Sequence, residues 1–283
     1  MRRPREGHHS AGLPIVVAVL AIALFSAMDA VMKGLTLSMG VYNAMFWRGV
    51  IGLLASGVLY AALRSRVPRP ATLRLHALRG AVTTVMALCF FWGLARLPLA
   101  EAVALSFVAP LIALFLAAAM LGERLGPQSI LGSAIGFAGM LVIVAVRARA
   151  PLLYAYNIVL MRQQALVALP VEIAFFQSLT VAALLALAAP VMAIVPTAGD
   201  LPALVLSAGL ALSSALLLAF AYARAEAQQL APVEYSALVW AALLGALVFG
   251  EAVETATILG AALIVAGCLI AAQARSGSAA HVS

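Results

Sequence analysis

Residues 92–144 and 220–272 carry one pattern written twice, in register and without a gap. A shift of 128 positions lays Ala95 on Ala223, Arg96 on Arg224, Gly122-Glu123 on Gly250-Glu251, Gly132 on Gly260 and Gly139 on Gly267. Both copies are apolar. A chain duplicated in this way folds as two versions of one unit, and the architecture has to satisfy both at once.

The solvent of those units follows from composition. Hydrophobic residues make up 65% of the chain and charged residues 10%, with a mean hydropathy of +1.12. That leaves too little polar surface to cover a water-soluble globule. The apolar runs are long enough to cross a bilayer as helices, which takes about 17–25 residues each. Barrel strands would be shorter and would alternate. Breaks at Gly, Pro and charge clusters divide the chain into ten spans. They lie near 13–36, 41–63, 75–95, 99–121, 127–146, 151–168, 170–195, 201–223, 230–249 and 255–273. The connections are too short to hold a soluble domain. Arg2, Arg3 and Arg5 before an apolar run imitate a signal peptide, but the run continues past Asp29 with no small-residue cleavage pattern.

Basic residues orient the bundle. With the N-terminus in the cytoplasm, twelve of the seventeen Lys and Arg fall on that side: Arg2, Arg3, Arg5, Arg64, Arg66, Arg69, Arg74, Arg79, Arg124, Arg162, Arg224 and Arg275. Four fall on the far side, Lys33, Arg96, Arg147 and Arg149, while Arg48 sits inside a span. This is the positive-inside bias, so the net charge of +7 reports topology rather than nucleic-acid binding. Arg96 follows the third span and Arg224 the eighth, an odd separation, so equivalent positions face opposite sides and the repeats are inverted.

A second register, offset by 129, extends the repeat backwards. Phe25 falls on Tyr154, Met32 on Met161, Lys33 on Arg162 and Arg48 on Gln177. The fold class expected is therefore all-α integral membrane, ten transmembrane helices as two inverted five-helix repeats. Residues 1–12 are a cytoplasmic tail, 13–147 the first repeat, 148–275 the second and 276–283 the C-terminal tail. The second repeat has a shortened first helix, with only Pro151 to Met161 before Arg162.

These residues as an ensemble resemble the drug/metabolite transporter superfamily, specifically its EamA-type ten-helix members. The resemblance rests on the two Gly-Glu pairs, each followed by a Gly-containing helix (Leu131-Gly132 to Gly139, Leu259-Gly260 to Gly267), on Pro110, and on Arg48 after Phe46-Trp47. Leu238 stands where the second copy would often carry a proline matching Pro110. The resemblance implies secondary transport, without ATP, of small metabolites such as amino acids, nucleotide-like or vitamin-like compounds, or of drugs. The chain carries no Gly-rich phosphate loop ending in Lys-Ser/Thr, in keeping with that.

Polar groups inside the spans are the candidate site, because hydrocarbon excludes charge that neither pairs nor faces a cavity. Asp29 and Arg48 lie on either side of the first outer loop, at similar depth, and are expected either to pair structurally or to hold a charged substrate group. Trp47, Trp92, Asn157, Gln177, Tyr235 and Trp240 are expected to supply the softer half of a substrate pocket, with Glu234 as a third charge. By resemblance, the span holding Glu234, Tyr235 and Trp240 lines the central cavity. If a coupling proton is used, Glu234 or Asp29 is its expected carrier.

Structural roles compete with these. Glu101, Glu172 and Glu234 sit near helix starts, where the helix dipole favours a carboxylate. Trp92, with Phe90 and Phe91, fits an interfacial belt equally well. Asn157 and Gln177 also fit as bridges between helices. Glu123 and Glu251, each preceded by Gly, are expected to cap and to set topology. Cys89 and Cys268 lie in separate spans and the histidines have no metal-ligand spacing, so no cofactor and no metal is expected. The expected partners are a small-molecule substrate and the lipid bilayer of a bacterial inner membrane, while Gly132-x-x-x-Gly136 fits either close packing within the chain, the commoner use, or a homodimer. Three alternatives stand beside a metabolite carrier: a drug or lipid exporter of the same fold, a non-transporting scaffold and an intramembrane enzyme.

Overall fold

The structure, a computed structural model, describes residues 12–63, 68–107, 168–222 and 234–266 apart from 235, 256 and 264, together with 131, 135 and 138. Most of the span expected near 127–146 and nearly all of that near 151–168, with Asn157, lie outside the described residues, as does Tyr235. Among the described residues the chain is helical without strands. The elements are α1 (Gly12–Ala62), α2 (Pro70–Leu94), α3 (Leu99–Ser106), α4 (Pro170–Ala186), α5 (Ala189–Met192), α6 (Leu201–Tyr222) and α7 (Ser236–Phe249).

Two of the expected spans share α1. The helical path runs through both and turns at Gly40, whose backbone adopts φ 80° and ψ 158°. A β-carbon disfavours that conformation, which is why glycine occupies the turn. The two arms fold back on each other, so Arg48 on the second arm reaches Met28 on the first. The first arm packs most extensively on α6, where the Ser214 hydroxyl donates to the Ala21 carbonyl over 2.7 Å. The second arm lies along α4.

Pro70 and Pro170 each open a helix, where the missing N–H has no intrahelical partner to lose. The span expected over 170–195 stops as a helix at Ala186, and beyond the short α5 the chain runs extended from Ala193. Two side chains of α1 hold it there. The Asn43 side-chain oxygen accepts the Ile194 N–H at 2.8 Å, and the Trp47 indole N–H donates to the Ile194 carbonyl at 2.7 Å.

The core is built across both halves of the chain. Met28, Met32, Met45, Phe91, Leu94 and Leu99 pack with Val181, Leu185, Leu204 and Ala241 in one buried cluster. The outside is more apolar than a water-facing surface would be: Leu54, Val58, Val239 and Leu247 are all well exposed. On α2 the buried stripe is His76, Gly80, Thr84, Phe91 and Leu94, so the polar and small residues turn inward. That inversion is expected of helices solvated by lipid. Among the described residues three helices are long and apolar enough to cross a membrane: Leu13–Ala62, Pro70–Leu94 and Leu201–Ala221.

Candidate functional site

Asp29 is buried at 4% exposure, one helical turn below Lys33 on α1. Arg48 comes to the same level from the other arm. Its guanidinium lies 5.7 Å from the centre of the Phe91 ring, and its Nη1 approaches the Met28 sulfur at 3.6 Å. The two charges are within electrostatic reach of each other, yet no ion pair joins them. Asp29 Oδ1 and Arg48 Nε are both buried without a hydrogen-bond partner. Two more buried polar atoms in the second half share this condition, Gln177 Oε1 on α4 and Ser236 Oγ at the start of α7. Unsatisfied buried polar atoms are uncommon in native folds, so the neighbouring Asp29 and Arg48 mark a place where something else completes the bonding.

The remaining candidates are placed differently. Trp47 gives its indole N–H to Ile194, leaving its ring, edge-on to Phe46 at 5.2 Å, as the face available for contact. Trp92 is 54% exposed and carries the Arg96 guanidinium 3.8 Å from its ring centre, at the outside of the bundle, while its neighbour Phe91 turns inward beneath Arg48. Trp240 and Glu234 are both partly buried in the second half. Phe91 and Met28 belong to the Arg48 environment and were not candidates from sequence, where the aromatic run Phe90-Phe91-Trp92 gives no sign of which ring faces inward.

Two charged contacts between distant parts of the chain add to the picture. Lys33 forms an ion pair with Glu251, donates to the Leu97 carbonyl at 2.6 Å, and lies over the Phe249 ring at 5.3 Å. The second Glu251 oxygen accepts the Leu99 N–H at 2.7 Å, so this carboxylate caps α3 from across the bundle. The Gly-Glu pair explains how. Gly250 leaves α7 with φ 65°, the Glu251 N–H bonds back to the Gly245 carbonyl at 3.1 Å, and Gly245 has no β-carbon to obstruct the carboxylate. Elsewhere, the His76 ring nitrogen meets Glu172 at 2.8 Å and stacks on Phe176 at 4.8 Å, joining α2 to α4.

A cavity of about 570 Å³ lies between the first arm of α1, α6 and α7. Its walls are almost wholly apolar, with Ser38 and Asp200 as exceptions, and none of the candidate residues lines it. Leu206 and Val248 on its rim are more than half exposed, so it opens to the exterior of the bundle. Among the described residues no group of three or more His, Cys, Asp or Glu could hold a metal.

A bundle of apolar helices enclosing unpaired charges is the architecture of a membrane transport protein. The family model of the EamA-like transporter family matches this chain twice, over residues 12–145 and 149–273, and the chain belongs to that family. It is 27% identical to the pseudopaline exporter CntI of Pseudomonas aeruginosa, covering 93% of this chain and 97% of that one. It is also 30% identical to the riboflavin transporter of Brucella anthropi over 100 residues, 35% of each chain. A protein crystal structure aligns with a TM-score of 0.60 at 23% identity, covering 94% of this chain and 97% of the other, which is a likeness of fold.

Proposed function

We propose that this protein is a secondary active transporter, not an enzyme. It moves a small polar metabolite that carries both a carboxylate and a cationic group, by alternating access of two inverted five-helix repeats. The single observation that carries the reading is the pair of opposite charges, Asp29 and Arg48, held close in a buried site without bonding to each other. A zwitterion would complete both: its carboxylate takes the Arg48 fork and its ammonium takes Asp29.

The near full-length likeness to a protein named as an exporter supports outward movement. The excess of Lys and Arg on one side supports an inner-membrane placement with both termini in the cytoplasm. The likeness to a riboflavin transporter keeps vitamin-like compounds among the ligands to test. The same-fold alternative, an exporter of drugs or lipids, draws on the apolar cavity. Neither Asp29 nor Arg48 lines that cavity, so it leaves their buried charges unexplained, which favours the polar substrate.

Thermal stabilisation of the detergent-purified protein tests the reading against amino acids, carboxylate-rich zwitterions, nucleosides, riboflavin and cationic drugs, at two pH values. A ligand that binds only the folded state raises the melting temperature by mass action. The expected result is a saturable shift with a zwitterion that Arg48→Ala and Asp29→Asn each abolish. A shift with apolar cations alone, unaffected by either change, would move the assignment to the drug-exporter alternative.

A further inference from the structure

The Lys33–Glu251 pair has features that a fastening between two fixed helices does not need. Both side chains are largely buried, at 6% and 17% exposure, and a buried ion pair is seldom more stabilising than an apolar pair of similar volume. It gathers three separate segments. Lys33 comes from the first arm of α1, the Leu97 carbonyl and Leu99 N–H from the α2–α3 connection and the start of α3, and Glu251 from just beyond α7 in the other half. Its position matters most. Ser26, Asp29 and Lys33 follow one another at helical spacing on one face of α1, so Lys33 stands directly between Asp29 and the Gly40 end of the bundle. The repeat register also preserves both signs of charge, with Arg162 at the position of Lys33 and Glu123 at that of Glu251. Those two lie outside the described residues.

We propose that Lys33 and Glu251 form the outer closing contact of the carrier, made when the Asp29–Arg48 site is shut off from the outside and broken when it opens there. The inference rests on the transport reading above. Opening hydrates both charges, which removes the low-dielectric attraction and lets the halves part. An ionic contact suits this use, because water compensates each partner once the contact is broken, whereas an apolar seal would expose unfavourable surface. Phe249, under the Lys33 ammonium, holds the cation in place only while α7 is docked.

The test measures access with no substrate present. In chains whose Cys89 and Cys268 are replaced by serine, Ser26→Cys places a single thiol one turn below Asp29. A membrane-impermeant maleimide is added to right-side-out or to inverted membrane vesicles. Glu251→Gln keeps an oxygen for the Leu99 N–H but removes the charge. It is expected to raise labelling from outside about tenfold, the effect of moving a closed-to-open equilibrium by one decade, without raising labelling from inside. Lys33→Met should do the same, and Lys33→Arg should keep labelling slow. Outside labelling that changes less than about twofold in both Glu251→Gln and Lys33→Met, or that rises equally from both sides, overturns the proposal. Should Lys33→Met fail to insert, Glu251→Gln alone decides. Labelling reports the contact whether or not any ligand is found, so a failure of the transport reading shows separately, as the absence of ligand stabilisation.

Discussion

Asp29 and Arg48 show how little a residue's type says until its partners are known. A carboxylate and a guanidinium at one depth in adjoining helices would ordinarily close on each other. Here Arg48 is drawn aside by the Phe91 ring and the Met28 sulfur, and Asp29 keeps an unpartnered oxygen. Both charges could be found from sequence, because ionisable groups in apolar spans are few. Phe91 could not, since neighbouring aromatics differ only by about 100° of helix rotation and hydropathy does not distinguish them. Trp47 gives a direct check at this scale. Its N–H supports the extended chain at Ile194, so Trp47→Phe keeps the ring and loses one hydrogen bond. That change is expected to lower stability by less than about 1 kcal/mol, since Ile194 is exposed and water replaces the lost donor. The measurements are the melting temperature and the ligand shift. The first should fall slightly and the second persist, and a lost ligand shift would make Trp47 a polar contact of the substrate.

At the scale of elements, the spans were legible where apolar runs end in charge or proline, and less so where side chains capture backbone. The run from 170 to 195 reads as one helix, yet α4 ends at Ala186 and only the short α5 follows, because Pro190 interrupts the ladder and Asn43 and Trp47 offer the chain beyond it other bonds. In sequence Glu172 reads as a dipole-end carboxylate at the start of a helix, and it does stand in the first turn of α4. What spacing does not reveal is that His76, 96 positions away, completes it. That contact joins α2 to α4 through groups from different halves, with Tyr60 of α1 near Glu172 as well. His76→Leu leaves a buried carboxylate without its ring partner and is expected to cost about 3 kcal/mol, whereas Glu172→Gln keeps a hydrogen bond to the imidazole and should cost about 1 kcal/mol. Denaturation of the two variants in detergent gives the order. Equal costs would mean that the pair contributes through packing on Phe176 rather than through the carboxylate.

At the scale of the molecule, membrane placement follows from composition, and the resemblance to EamA-type carriers agrees with the family to which the chain belongs. The long-range contacts did not follow, because a repeat register relates equivalent positions in the two halves but does not say which position of one half meets which of the other. Lys33 with Glu251 is such a meeting, and so is the buried cluster from Met28 to Ala241. Both join the halves that would have to move against each other during transport. The account therefore depends on Asp29 and Arg48 serving a solute that crosses the membrane with them, and solute counterflow tests this most directly. Proteoliposomes are loaded with an unlabelled zwitterion that stabilises the purified protein and diluted into a trace of the same compound in radiolabelled form. Transient accumulation of label in the native protein, absent in Arg48→Ala, is the predicted result. Folded protein that binds the zwitterion yet never accumulates label above empty liposomes would contradict transport by this chain.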